Sequence, residues 1–272
     1  LPDNALGRMT ANKAREHGVD VSHVIWAKGE RMGLYFVEFG AQPRASSVLY
    51  DRAGSAIASL KPSDFDWPAI FSQGRLFHVS GITPALSSSC AEAALAASRA
   101  AKQAGCIVSV DVNYRAKLWS ETDANRVMTA LMVHTDVLIT TEEDTQKVFR
   151  VEAPDYREVA RELQRRFSLQ AVAITLRETP SVLRNTWSAF AVAGDELYEA
   201  PVYQVEIVDR LGAGDAFTAG FLWGYLQDNV AKGVAYGTAY SALKHSIPGD
   251  FHWGTLGEVE ALVKGGGLRI ER

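Results

Sequence analysis

The spacing of apolar positions divides the chain in two. From Asp3 to His17 they recur at helical intervals, and the run stops at Gly18, which predicts a helix. Three short runs follow, His23–Ala27, Gly33–Phe39 and Ser47–Arg52. They are rich in Val, Ile, Tyr and Phe and are divided by turns holding Gly, Pro and Gln. No helical pattern interrupts them, so they predict a small antiparallel sheet. Past Arg75 the pattern changes. Continuous apolar runs at Leu76–Ser80, Ile107–Val112, Asp136–Thr140 and Ala171–Leu176 alternate with helical segments. The first of these helices has Ser87, Ser88 and Ser89 as candidate N-caps and Gly105 as its stop. Others are predicted near Glu121–Val133, Glu142–Phe149 and Asp155–Phe167. Such alternation around uniformly apolar strands predicts a parallel sheet covered by helices. Trp187–Ala193 and Gln204–Val208 read as further strands, and the remainder as mostly helical. The expected fold is α/β: a central, mostly parallel sheet flanked by helices, with a small β-sheet appendage from residues of about 23–57.

Composition narrows the function classes. The chain has 272 residues, 47% hydrophobic and 22% charged, as an ordinary globular protein does. With 28 Lys and Arg against 32 Asp and Glu, the net charge of −4 argues against holding nucleic acid by bulk positive charge. No apolar run approaches the roughly 18 residues that span a bilayer, so no membrane partner is expected. The longest, Ala216–Leu226, holds two glycines and a threonine. Two cysteines, Cys90 and Cys106, make neither a disulfide framework nor a zinc site on their own, so a reducing, cytoplasmic location is expected. The six histidines are scattered without metal-ligand spacing.

Ligands of open parallel sheets bind at the carboxyl ends of the strands. Four such ends carry polar residues: Asp111–Arg115, Thr141–Asp144, Thr175–Glu178 and Asp209–Asp215. The last is the most informative. Leu-Gly-Ala-Gly-Asp lies between a strand and the apolar helix. Small residues let a ligand approach the backbone, and free N–H groups at a helix start attract anions. Gly212, Ala213 and Gly214 could thus hold a phosphate or a developing negative charge. Asp215 falls in the first helical turn, where the helix dipole favours its ionised form. A carboxylate beside an anion hole suits phosphoryl transfer to a hydroxyl: the carboxylate accepts the proton and the amides stabilise the phosphoryl charge. An ordinary strand-to-helix turn with a capping Asp is the other reading of the same residues. A dinucleotide fingerprint would need glycine where Phe217 stands, and no GxxxxGK[ST] phosphate loop occurs.

The segment Asp209-Arg-Leu-Gly-Ala-Gly-Asp-Ala-Phe-Thr-Ala-Gly220 resembles the C-terminal signature of the ribokinase-like (PfkB) carbohydrate kinases. Within that family Gly33-Leu-Tyr-Phe, Val48-Leu-Tyr-Asp-Arg52, Ser80-Gly-Ile-Thr-Pro-Ala-Leu86, Asp111-Val-Asn-Tyr-Arg115 with Leu118-Trp119, and Ile247-Pro-Gly-Asp-Phe251 resemble the 2-keto-3-deoxygluconate kinases. The resemblance implies ATP-dependent transfer of a phosphoryl group to the 6-hydroxyl of 2-keto-3-deoxygluconate. Asp215 would be the base and Gly212, Ala213 and Gly214 the anion hole. Tyr35, Tyr50, Arg52, Asn113, Arg115 and Asp250 match substrate-contacting positions. Arg can take a sugar-acid carboxylate by two parallel hydrogen bonds, which a neutral sugar would not require. Cross-strand packing of the two tyrosines and a surface ion pair for Arg115 are the plainer alternatives. The nucleotide would meet Thr141, Thr175, Arg177, Gly212 and Gly214. Mg²⁺ would be served through water by Glu143 or Asp144, and a monovalent cation is a further candidate. Thr141 and Asp144 stand where the family has an Asn-x-x-Glu pattern, and Thr179-Pro180-Ser181 replaces its glycine-rich turn.

The resemblance also implies one ribokinase-like domain over 1–272. Residues of about 23–57 would form a lid over the sugar, and paired lids would make a homo-oligomer. Members begin with a strand and a Gly-Gly-x-x-Asn-like segment. None precedes Leu1-Pro-Asp-Asn-Ala-Leu-Gly7, so the expectation is that an N-terminal strand and part of the sugar site are missing. A kinase for a neutral sugar such as fructose or ribose, and a non-catalytic nucleotide- or sugar-binding regulator, remain alternatives.

Overall fold

The computed structural model describes residues 1–266, and its backbone divides into two compact units. The last six residues of the expected domain lie outside the described residues. The first unit comprises Leu1–Phe39, Ser47–Asp136 and Lys147–Phe149. It opens with α1 (Ala5–Glu16), capped by Asn4, whose side chain accepts the Gly7 N–H at 3.1 Å. Strands β1 (Leu34–Glu38) and β2 (Ser47–Asp51) pair antiparallel as a two-stranded sheet, with Tyr35 opposite Tyr50. The expected strand at His23–Ala27 does not form. Ala27 instead makes an isolated bridge to Pro2, its N–H donating to the Leu1 carbonyl at 2.8 Å. A β-type run becomes a strand only where a ladder partner exists, and here the neighbour is the start of the chain.

Short α2 (Trp67–Phe71) leads to β3 (Leu76–Ser80), α3 (Ile82–Ala85), α4 (Ser88–Gln103), β4 (Ile107–Asp111) and α5 (Glu121–Met132). Ser87 is the cap that α4 uses, accepting the Cys90 N–H at 3.1 Å. Ala97 and Ala101 let α4 lie close on Phe71, Cys106 and Val108, which form a core cluster with Trp67 and Phe77. β3 and β4 are parallel and in register, Ser80 beside Asp111, so their carboxyl ends share one edge. Buried Asp136 closes this unit by accepting the Val108 N–H at 2.9 Å and pairing with Lys102.

The second unit holds Gly40–Ser46, Val137–Gln146 and the chain from Arg150 onward. It contains β5 (Val137–Thr141), the single turn α6 (Glu142–Asp144), α7 (Tyr156–Phe167), β6 (Ala171–Ser181), β7 (Arg184–Ala193), β8 (Glu196–Glu199), β9 (Tyr203–Glu206), α8 (Ala213–Gln227), α9 (Val230–Lys244) and α10 (Leu256–Val263). β5 and β6 are parallel. β6–β7, β7–β8 and β7–β9 are antiparallel, so the α/β sheet is mixed. β6 runs five residues beyond the expected Leu176 because β7 folds back along it. The pairing is irregular after Glu178, next to Pro180, which has no N–H to give. β8 was not expected. Its turn, Gly194-Asp195, is a two-residue hairpin with Gly194 at φ +58. Helix α6 covers only the start of the expected Glu142–Phe149 helix, and Thr145–Phe149 continues as a wider π turn. Among the described residues no helix is long and apolar enough to cross a membrane.

Candidate active site

In the second unit the chain leaves β9 and is held at once. The N–H groups of Val208 and Asp209 both donate to the His245 carbonyl, at 2.8 and 3.1 Å. The buried Asp209 carboxylate accepts the Leu211 N–H at 2.9 Å and the Gly249 N–H at 2.8 Å. One side chain thus ties the turn entering α8 to the loop leaving α9. Between these ties the backbone adopts a left-handed conformation at Gly212, φ +75. A Cβ there would lie 2.7 Å from the Asp250 carbonyl oxygen. Glycine is demanded twice, by conformation and by space.

Helix α8 starts at Ala213, a turn's length before the expected Ala216, and Asp215 stands in its first turn. The buried Ala213 donates its N–H to Arg210 at 3.3 Å, and its carbonyl accepts the Ser241 hydroxyl of α9 at 2.6 Å. The open amides of the expected anion hole are therefore those of Gly212 and Gly214, which have no partner among the described residues. A Cβ on Gly214 would meet nothing within 4 Å, so a ligand has free approach to that amide. Asp215 is exposed, and its carboxylate makes no hydrogen bond or ion pair among the described residues. Behind the turn lies Lys244, wholly buried, its ammonium donating to the Ile247 carbonyl at 2.9 Å. Burial holds its pKa below the usual lysine range, against the pull of the Asp209 and Asp250 carboxylates. The sequence marks Asp209 only as the start of the motif, with no role, and does not mark Lys244. A lysine at the end of a helix rich in small residues, just before Ile-Pro-Gly-Asp, is the available signal.

Two glycine pairs fix where α8 sits. A Cβ on Gly220 would be 2.9 Å from Gly237 Cα, and one on Gly224 would be 2.8 Å from the Gly233 nitrogen. A Cβ on Gly237 would be 2.8 Å from the Phe217 carbonyl. The two helices meet backbone to backbone, with the Phe217 and Phe221 side chains fully buried.

The expected nucleotide residues lie at the edge formed by β5 and β6. Thr141 and Thr175 are register partners across the two strands. Thr141 also caps α6, accepting the Asp144 N–H at 3.2 Å. Asp144 is buried and Glu143 exposed. Burial pushes the Glu142 carboxyl up, opposed by Arg177 and reinforced by Glu178. Arg177 is exposed further along β6, and Arg210 reaches back to the Val182 carbonyl at 3.0 Å.

The other expected sugar residues, Asp250 apart, belong to the first unit. Tyr35 and Tyr50 face each other across β1–β2 with ring centroids 6.3 Å apart. The Arg52 guanidinium lies 4.1 Å from the centre of the Tyr50 ring, and the Lys117 ammonium 5.6 Å from it. At the β3–β4 edge, Asn113 adopts φ +39 and donates its amide to the Ser80 hydroxyl at 3.0 Å. Arg115 is exposed, with one bond to the Tyr114 carbonyl at 3.0 Å and no carboxylate partner among the described residues. A surface ion pair therefore does not account for it.

Comparison with known proteins agrees with this architecture. The model of the pfkB family carbohydrate kinases matches residues 1–250. The chain is 36% identical to the 2-dehydro-3-deoxygalactonokinase of Haloferax volcanii over 273 residues, covering 100% of this chain and 82% of the relative. It is 30% identical to the 5-dehydro-2-deoxygluconokinase of Shouchella clausii over 272 residues, covering 97% of this chain and 79% of that one. The crystal structure of 2-dehydro-3-deoxygluconokinase from Thermotoga maritima matches with a TM-score of 0.93 at 40% identity, over 97% of this chain and 82% of that one. The α/β units with their two-stranded sheet are those of the ribokinase-like fold, and the chain belongs to the pfkB family of carbohydrate kinases, a family of phosphotransferases.

Proposed function

We propose that this kinase transfers the γ-phosphoryl group of ATP to the 6-hydroxyl of 2-keto-3-deoxygluconate. The observation that carries the reading is Asp215: an exposed carboxylate without a protein partner among the described residues, one residue from an open backbone amide. In this reading Asp215 accepts the hydroxyl proton as the new O–P bond forms and the bond to ADP breaks. The Gly212 and Gly214 amides, with Ala213 packed beneath, carry the charge of the transferred group. Thr141, Thr175 and Arg177 attend the nucleotide phosphates.

Recognition of the acceptor falls to Tyr35, Tyr50, Arg52, Asn113, Arg115 and Asp250. Two guanidiniums without protein carboxylates suit an acidic acceptor. The three relatives named above are dehydro-deoxy-aldonate kinases and support the same class. Mg²⁺ fits as an open ion. Among the described residues no three His, Cys, Asp or Glu side chains converge into a closed cage. Mg²⁺ beside nucleotide phosphates needs only one or two carboxylates and keeps several waters. Glu143, with Asp144 behind it, would hold it through water. When bound, it withdraws charge from the phosphoryl oxygens.

The test is an ADP-release assay across sugar acids and neutral sugars. The expected result is turnover with 2-keto-3-deoxygluconate at a kcat/KM at least about 100-fold above that with fructose or ribose, the scale that lost charged contacts set. A preference for a neutral sugar would overturn the assignment.

A further inference from the structure

The first unit contains a third cation that the substrate assignment does not use. Leu118 donates its N–H to the Arg115 carbonyl at 2.9 Å, closing a turn over Arg115-Ala-Lys-Leu118. Tyr114 braces the same segment by donating its hydroxyl to the Trp119 carbonyl at 3.3 Å. The turn brings the Lys117 ammonium to 5.6 Å from the centre of the Tyr50 ring, the ring that Arg52 covers at 4.1 Å. Neither cation has a carboxylate partner among the described residues, and Asp51, the acidic neighbour on β2, is taken by Arg31. Two like charges held on one aromatic ring repel each other, and the ring's attraction offsets this only in part. An anion between or beside them would relieve the repulsion.

We infer that Lys117 is a specificity-determining residue, sharing the carboxylate of the acidic acceptor with Arg52 and so favouring acids over neutral sugars. The inference rests on the sugar-acid reading above. Lys suits this place because an ammonium's three donors turn freely, whereas a guanidinium donates only in its own plane. Lys117 is exposed, so replacing it leaves the core intact.

The experiment compares wild type, Lys117→Met and Lys117→Arg by steady-state kinetics with 2-keto-3-deoxygluconate and ATP, alongside thermal melting. The expected result is a rise of about 10- to 100-fold in KM for the sugar acid in Lys117→Met, the range of one charged hydrogen bond. KM for ATP and the melting temperature should stay at the wild-type values. Lys117→Arg should recover most of the loss. The wild-type KM for the acid should rise with added salt more steeply than that of Lys117→Met. An unchanged acid KM in Lys117→Met, with wild type active on the acid, overturns this inference and spares the sugar-acid reading. Equal rises in KM for acid and ATP also overturn it. A wild type with no activity on any sugar acid overturns the reading and the inference together.

Discussion

Gly212 and Gly214 stand two residues apart in the α8 turn, and the same substitution should affect them oppositely. At Gly212 an alanine would occupy the left-handed region at φ +75, which costs an L-residue about 1–2 kcal/mol. Its Cβ would press to 2.7 Å on the Asp250 carbonyl, where ordinary contact begins at 3.4 Å. That loop cannot withdraw freely, because Gly249 is bonded to the buried Asp209. Strain and displacement together put Gly212→Ala at about 2–4 kcal/mol of lost stability. At Gly214 the added methyl meets nothing within 4 Å and lies inside a helix. Alanine there should gain up to about 1 kcal/mol. Yet the methyl would fill the approach to the open amide, and losing one such donor costs about 100- to 1,000-fold in kcat. Urea unfolding and ADP release, measured on both variants, separate the effects. The expected pattern is a destabilised Gly212→Ala and a stable, crippled Gly214→Ala. A Gly214→Ala enzyme with wild-type kcat/KM would show that no ligand approaches that amide, and the anion-hole argument would fall.

Asp215→Asn should lower kcat by about 100- to 10,000-fold, the usual contribution of a general base, while ATP affinity measured by calorimetry stays within a few fold. Full turnover would remove the proton-accepting role. Arg115→Ala should raise KM for the sugar acid and leave KM for ATP unchanged, since among the described residues its guanidinium bonds only the neighbouring Tyr114 carbonyl. His78 supplies a pH test. Burial lowers its pKa from 6.5 to about 4, so the folded protein resists a proton that the unfolded chain accepts. Its contribution is complete above pH 6.5 and is lost as pH falls toward 4, by a total of about 3 kcal/mol. Chemical denaturation between pH 4 and 7 should show a shallower acid decline in His78→Gln, and identical slopes would refute this account.

What the sequence disclosed depended on whether a signal was local. Ser87 and Gly105 bracket α4, and the run Leu76–Ser80 is the strand expected of it, because caps and apolar runs act within a few residues. The hairpin at Gly194-Asp195 had a local signal too. That signal is weak because β8 is only four residues long and begins and ends with glutamate. His23–Ala27 shows the limit from the other side: strand propensity without a ladder partner leaves a bridge. In the candidate site, the turn at Gly212 and the place of Asp215 in the first turn of α8 were legible from residue type and order. Lys244 and Lys117 were not, since one depends on the Asp209 carboxylate 35 positions earlier and the other on a ring 67 positions earlier. The glycines of α9 were equally silent, because their purpose is defined only by the helix they touch.

That helix contact has a mechanical meaning. Side chains between packed helices act as springs, able to change rotamer and let one helix slide on the other. Between Gly220 and Gly237 there are none, and Ser241 locks the end of the pair to Ala213. α8 and α9 therefore move as one beam, and the turn bearing Asp215 is its tip. Hydrogen exchange should find the amides of both helices opening together rather than fraying separately. The turn bearing Asp215 is then a stiff part of the second unit, whereas the side chains of the exposed two-stranded sheet in the first unit retain freedom.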